Sequence, residues 1–206
     1  MTTHEIKLHR GDLPANLDLG GSVAIDTETL GLRPHRDRLC LVQLSAGDGR
    51  AHLVQFDGTD YSAPNLKALL EDPKVLKIFH FARFDVAVLA KYLGAKVAPI
   101  YCTKIASKLV RTYTDRHGLK DLTQELIGVE LSKQQQSSDW AASELSDQQL
   151  AYAASDVLHL HALKARLDKM LDREGRTALA RAAFDFLPTR AALDLAGFED
   201  MDIFSH

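Results

Sequence analysis

Asp26 and Glu28 stand two residues apart at the end of an apolar run, Val23-Ala24-Ile25-Asp26-Thr27-Glu28. Side chains alternate between the faces of a strand, so a strand through residues 23–25 points both carboxylates the same way. Two like charges held side by side are unfavourable unless a cation joins them. Magnesium or manganese, which take oxygen ligands, would answer that need. A lone Asp-x-Glu is more often a solvated strand end, so the remaining acids decide the matter.

Asp85 lies in Phe79-His80-Phe81-Ala82-Arg83-Phe84-Asp85, where an apolar strand gives way to a helix. Its neighbours Phe84, Val86 and Val88 suit a helix packed onto a sheet, which keeps Asp85 from free solvation. Tyr152-Ala153-Ala154-Ser155-Asp156 places Tyr152 and Asp156 on one helix face, a turn apart. The small residues between them let that helix approach a sheet or a substrate closely. Taken singly, Asp85 reads as a helix cap and Tyr152 as packing. Together, four carboxylates with a Tyr one turn before the last have the wiring of a two-metal site. Two cations about 4 Å apart activate a water and stabilise the leaving oxygen in phosphodiester cleavage. A nearby Tyr can orient that water or take its proton.

These groups need elements to carry them. Residues 23–26, 39–44 and 51–56 read as strands joined closely enough to form an antiparallel meander. Pro64 opens a helix, residues 75–79 form a fourth, fully apolar strand, and Ile100 marks a short fifth. Helices are predicted over 84–93, ending at Gly94, over 103–110, and over 118–127, ending at Gly128. Ser146-Asp147-Gln148-Gln149 has the form of a capping box and leads into a long helix through Asp168 or beyond. A helix over 173–186 precedes Pro188 and a tail whose Leu193, Leu195, Phe198, Met201, Ile203 and Phe204 are too apolar for a disordered segment. The expected organisation is one domain over 1–168 and a helical extension over 169–206, docked on that domain or on a neighbouring subunit.

The 206 residues suffice for such a domain, and the net charge of −3 lacks the basic excess of a protein gripping long nucleic acid. That balance favours a short nucleic-acid substrate, a localised basic site, or no nucleic acid. No apolar stretch is long enough for a bilayer, and no membrane partner is expected. Only Cys40 and Cys102 are present, without metal-site spacing, and the start lacks a secretory pattern, so a cytoplasmic location is expected.

The ordered set Asp26-x-Glu28, Asp85, Tyr152-x-x-x-Asp156 resembles the three motifs of the DEDDy 3′→5′ exonucleases. Gly118-Leu119-Lys120-Asp121-Leu122, Ser138-Asp139-Trp140 and Leu145-Ser146 are similar to signatures of the ribonuclease D branch, over about residues 20–165. The resemblance implies an α/β, ribonuclease H-like exonuclease fold with a five-stranded mixed sheet flanked by helices. Length, the stretch from Thr29 to Leu39, Ser132-Lys133-Gln134-Gln135-Gln136 and Phe186-Leu187-Pro188 look like the stand-alone nano-RNase C group. That group implies ring-shaped homo-oligomers, an octamer being one such ring, that degrade diribonucleotides to mononucleotides.

By that resemblance, Asp26, Glu28, Asp85 and Asp156 hold two divalent cations, Mg2+ or Mn2+, and Tyr152 positions the attacking water. Leu32 matches a leucine that wedges between two bases. Thr27, His80 and Phe81 are further substrate-binding candidates, with Phe81 suited to stacking. Arg111, Arg116, His117 and Lys133 are candidates for gripping a 5′ phosphate, although a solvated charged face explains each as well. The rival readings are a broader exonuclease trimming longer RNA or DNA, and a silent nucleic-acid- or protein-binding module on the same fold, which should have lost one or more of the carboxylates that this chain keeps.

Overall fold

A computed structural model describes residues 4–132 and 134–206. Lys133, one of the phosphate-binding candidates, lies outside the described residues. Six strands form a single sheet: β1 (Glu5–Arg10), β2 (Ser22–Thr29), β3 (Leu39–Ser45), β4 (Arg50–Gln55), β5 (Leu76–Phe79) and β6 (Ile100–Cys102). Their order is β1-β4-β3-β2-β5-β6. β2, β3 and β4 make the antiparallel meander that the short connections imply. β5 and β6 then add in parallel beside β2.

The mixed α/β sheet has one strand more than the five expected. The addition is β1, which pairs in parallel with β4 at the sheet edge. Its sequence Glu5-Ile6-Lys7-Leu8-His9-Arg10 carries only two apolar residues, and most of its side chains stay exposed. An edge strand buries too little to show a strong apolar pattern.

Seven helices follow the same chain order: α1 (Pro64–Glu71), α2 (Ala82–Leu93), α3 (Thr103–Val110), α4 (Leu119–Ile127), α5 (Asp147–Leu158), α6 (Leu160–Arg173) and α7 (Thr177–Leu193). Gly94 and Gly128 end α2 and α4 in the left-handed conformation that a side chain would resist. Ser146 and Gln149 close the capping box at the start of α5. The single long helix expected after that cap is divided at His159, where φ of −108° and ψ of −5° widen the turn between α5 and α6.

α7 starts at Thr177 and runs through Pro188 instead of stopping before it. Proline removes one helical hydrogen bond. Buried Phe184, Leu187 and Ala191 on either side hold the helix to the core regardless. α7 packs against α2, α3 and β6, and a wide turn, Asp194–Phe198, follows it. The helical C-terminal segment therefore shares the core of the sheet and its helices.

Strand alternation sorts the helices into two layers around β2. α5 lies across β2, β3 and β4, whereas α2 packs against β2, β3, β5 and β6. The β2–β3 ladder slips register between Glu28 and Thr29. Beyond this bulge Thr29 still pairs with Leu39 and the Leu30 N–H donates to the Arg38 carbonyl at 3.1 Å, after which residues 31–37 loop away from the sheet.

Candidate active site

β2 delivers its acids at the point where the ladder ends. One carboxylate oxygen from each of Asp26, Glu28 and Asp156 lies within 4.8 Å of the others. Asp156 comes from the last turn of α5, brought close because Ala153 and Ala154 are fully packed against the sheet. Asp85 sits in the first turn of α2, and Thr27 Oγ1 donates to its Oδ1 at 2.7 Å. Thr27 points to the opposite face from Asp26 and Glu28, so the strand end joins α5 on one side to α2 on the other.

The acids crowd one another. Burial, offset in part by the Thr27 backbone N–H, pushes Asp26 up to about 7. Burial and the charges of Asp26, Asp156 and Asp85 raise Glu28 further. Asp85 and Asp156 are likewise raised by burial and by Asp26. Among the described residues, no Lys, Arg or His forms an ion pair with any of the four. Convergent oxygens, mutual repulsion and no protein counter-charge fit a hard divalent cation, which takes carboxylate ligands.

Tyr152 shares the cleft with these acids, and its ring lies 6.0 Å from that of the buried Trp140. Burial, with the charges of Asp156, Glu28 and Asp26, raises the phenol well above its ordinary value. Tyr152 is therefore an O–H donor at neutral pH and not a ready base. Gln43, opposite Asp26 in the β2–β3 ladder, is fully buried with neither side-chain amide atom bonded to protein.

The cleft encloses about 320 Å³ and is lined by Thr27, His80, Phe81, Lys104, Lys120 and Gln136 besides Asp26, Glu28, Asp156 and Tyr152. Burial and Lys104 push His80 down to about 3, so it is neutral. Thr103 Oγ1 donates to the Phe79 carbonyl at 3.2 Å and so accepts from His80 Nδ1 at 2.9 Å. That network leaves His80 Nε2 as an acceptor. Phe81 adopts φ 67°, ψ 44°, a left-handed conformation strained for a bulky residue, and its ring is 44% exposed. Lys104 Nζ sits 4.2 Å from the centre of that ring.

The remaining candidates lie elsewhere. Leu32 is 87% exposed, on the loop beyond the bulge, and lines a second cleft of about 350 Å³ shared with Phe81. Arg111 is fully buried, contrary to its reading as a surface cation. Its guanidinium donates to the Glu125 carboxylate, Ser107 Oγ and the Arg116 carbonyl. Arg116 is exposed but binds Asp121. His117 Nδ1 lies 2.8 Å from Ser107 Oγ, beside the cleft-lining Gly118. Among the described residues, the cleft cations are Lys104 and Lys120. Lys104 carried no sequence signal, because only the pairing of β6 with β5 brings the start of α3 beside His80.

A family model described as 3′-5′ exonuclease matches residues 12–172. The chain belongs to this exonuclease family. Among relatives, ribonuclease D of Gluconacetobacter diazotrophicus is 38% identical over 154 residues, which cover 75% of this chain and 39% of that protein. The chain thus spans about two fifths of the length of the curated relatives it matches. Brucella melitensis NrnC bound to pGG matches this exonuclease with a TM-score of 0.96 at 60% identity, over 99% of this chain and 100% of that one. NrnC from the same organism with bound Mg2+ matches at 0.94 and 59%, over 98% and 99%. The α/β exonuclease architecture and the nano-RNase C resemblance read from the motifs agree with these matches. Among the described residues, no helix is long and apolar enough to cross a membrane.

Proposed function

We propose that this exonuclease is a metal-dependent exoribonuclease that hydrolyses very short RNA, chiefly diribonucleotides, to nucleoside 5′-monophosphates. The observation that carries the reading is the convergence of Asp26, Glu28 and Asp156 beside Tyr152 in a cleft with few cations. The full-length likeness to an NrnC bound to pGG supports the short substrate. Asp26, Glu28 and Asp156, together with Asp85 held by Thr27, would hold two divalent cations, Mg2+ or Mn2+, directly or through water. When bound, such cations lower the pKa of a water and neutralise charge building on the phosphate.

The protein's own groups do the rest. Tyr152 donates its O–H and orients the water for attack on the 3′-terminal phosphorus. The bond to the penultimate 3′ oxygen breaks, releasing a nucleoside 5′-monophosphate. His80 Nε2 accepts from a sugar hydroxyl, Phe81 offers a face for a base, and Lys104 and Lys120 draw in the phosphate. Leu32 wedges between the two bases. The protein would act in the cytoplasm as a ring-shaped homo-oligomer.

The test is cleavage of 5′-labelled RNAs of two to about ten nucleotides with Mg2+, Mn2+ or chelator, beside Asp26→Ala. Strong preference for the dinucleotide, abolished by chelator and by the substitution, is the expected outcome. Equal or faster trimming of longer RNA would refute the substrate assignment and leave a broader exonuclease.

A further inference from the structure

The turn after α7 is tied to the two segments that carry Leu32 and Phe81, both of which line the second cleft. On one side it grips the start of α2, just beyond Phe81. Arg83 Nε and Nη2 donate to Asp194 at 2.6 and 2.8 Å, and Arg83 Nη2 also reaches the Glu199 carbonyl at 2.5 Å. Arg190 closes the turn from within α7, donating to Asp194, to the Phe198 carbonyl and to the Met201 carbonyl. On the other side Glu199 reaches the loop that carries Leu32. Its carboxylate lies 3.4 Å from Arg33 Nη1 and 3.2 Å from His35 Nδ1.

That loop is already shaped from within. Asp37 accepts from the Arg33 backbone N–H at 3.0 Å and from Arg36 at 2.6 Å. A Cβ on Gly31 would fall 2.2 Å from Asp37 Oδ2, so only glycine lets the chain pass so close. The base of the loop stays paired through Thr29 with Leu39 and Leu30 with Arg38, and Glu199 ties its outer side to the turn after α7. Leu32, Phe81, Asp194 and Glu199 all line the one cleft of about 350 Å³.

We propose that the turn after α7 is a brace, and that Glu199 is a positioning residue which sets Leu32 opposite Phe81 for the RNA end. The proposal rests on the functional reading above for its substrate, but the brace itself can be measured without one. Asp194 is unsuitable as a probe, because its loss would strand Arg83 and Arg190 against a nearly buried site. Glu199 is more open, and exposed pairs of its kind contribute little to stability.

Two measurements on the full chain decide it. Amide exchange over residues 30–38 should be about tenfold faster in Glu199→Ala than in the parent, with Glu199→Gln between them. Unchanged exchange overturns the brace. Steady-state hydrolysis of pGG with Mg2+ should show KM about five- to tenfold higher in Glu199→Ala and kcat within about twofold. In a Leu32→Ala background the same substitution should add nothing. An equal rise in KM in both backgrounds would overturn the proposal, since Glu199 would then act without Leu32. If the parent cleaves no pGG, the functional reading falls, and the exchange result still decides the brace.

Discussion

Replacing Asp26 by Asn removes one charge from the crowded strand end while keeping the shape of the side chain. Without metal, ionised Asp26 in the folded protein is opposed by burial, which raises it from 3.8 to about 7 despite the Thr27 backbone N–H. A carboxyl raised on folding costs stability as pH climbs from its unfolded value through its folded one. The part of the metal-free protein's stability that depends on Asp26 should therefore be lost between about pH 4 and pH 7 and level off above, while Glu28, raised further, extends the loss to higher pH. Each pKa unit is worth about 1.4 kcal/mol, which sets a ceiling of about 4 kcal/mol. Because the cleft admits water to the carboxylate, about 2 kcal/mol is the figure to test. For a chain of this size that amounts to a rise of about 4–8 °C in melting temperature for Asp26→Asn in chelator at pH 8. Thermal unfolding at matched protein concentration, at pH 5 and pH 8, with chelator or Mg2+, is the assay. Mg2+ should stabilise the parent at pH 8 and stabilise Asp26→Asn much less. A variant that melts below the parent in chelator, or gains as much from Mg2+, would refute the account of these acids as a strained cation site.

Two further outcomes are expected. Phe81→Gly relieves a left-handed backbone at a half-exposed ring, so its unfolding free energy should stay within about 1 kcal/mol of the parent while pGG turnover falls several-fold; a larger loss in urea unfolding would mean that the ring is a packing residue. Lys77 is fully buried and its Nζ donates to the carbonyls of Asp72, Val75 and Ala98. Lys77→Met should cost about 3 kcal/mol in urea unfolding with kcat unchanged at low temperature, and a loss below about 1 kcal/mol would show that these carbonyls do not need the ammonium.

The acids were legible because their spacing carries geometry. Asp26 and Glu28 follow the period of a strand, and Tyr152 and Asp156 follow that of a helix, so each pair shares a face before any tertiary contact is known. The capping box at Ser146 and the stops at Gly94 and Gly128 are equally local. What local pattern could not show was anything closed by distant chain. Arg111 reads as an available cation until Glu125 is seen to cover it. β1 reads as a polar lead-in until β4 pairs with it. α7 passes Pro188 because its buried face is held by the core, and a lone proline gives no hint of that. The tie from Glu199 to Arg33 joins groups 166 positions apart, beyond the reach of any spacing rule.

The register slip between Glu28 and Thr29 has a consequence for how such a protein can change over generations. Substitutions at residues 31–37, or in the turn that steadies them, fall beyond the last paired residues of the ladder carrying the carboxylates. On the role proposed for Leu32, the choice of RNA ends can therefore drift while the carboxylate cluster stays under undisturbed selection. A lineage could widen or narrow its diet of fragments through a few mutations around Leu32 and never pass through a form unable to cut.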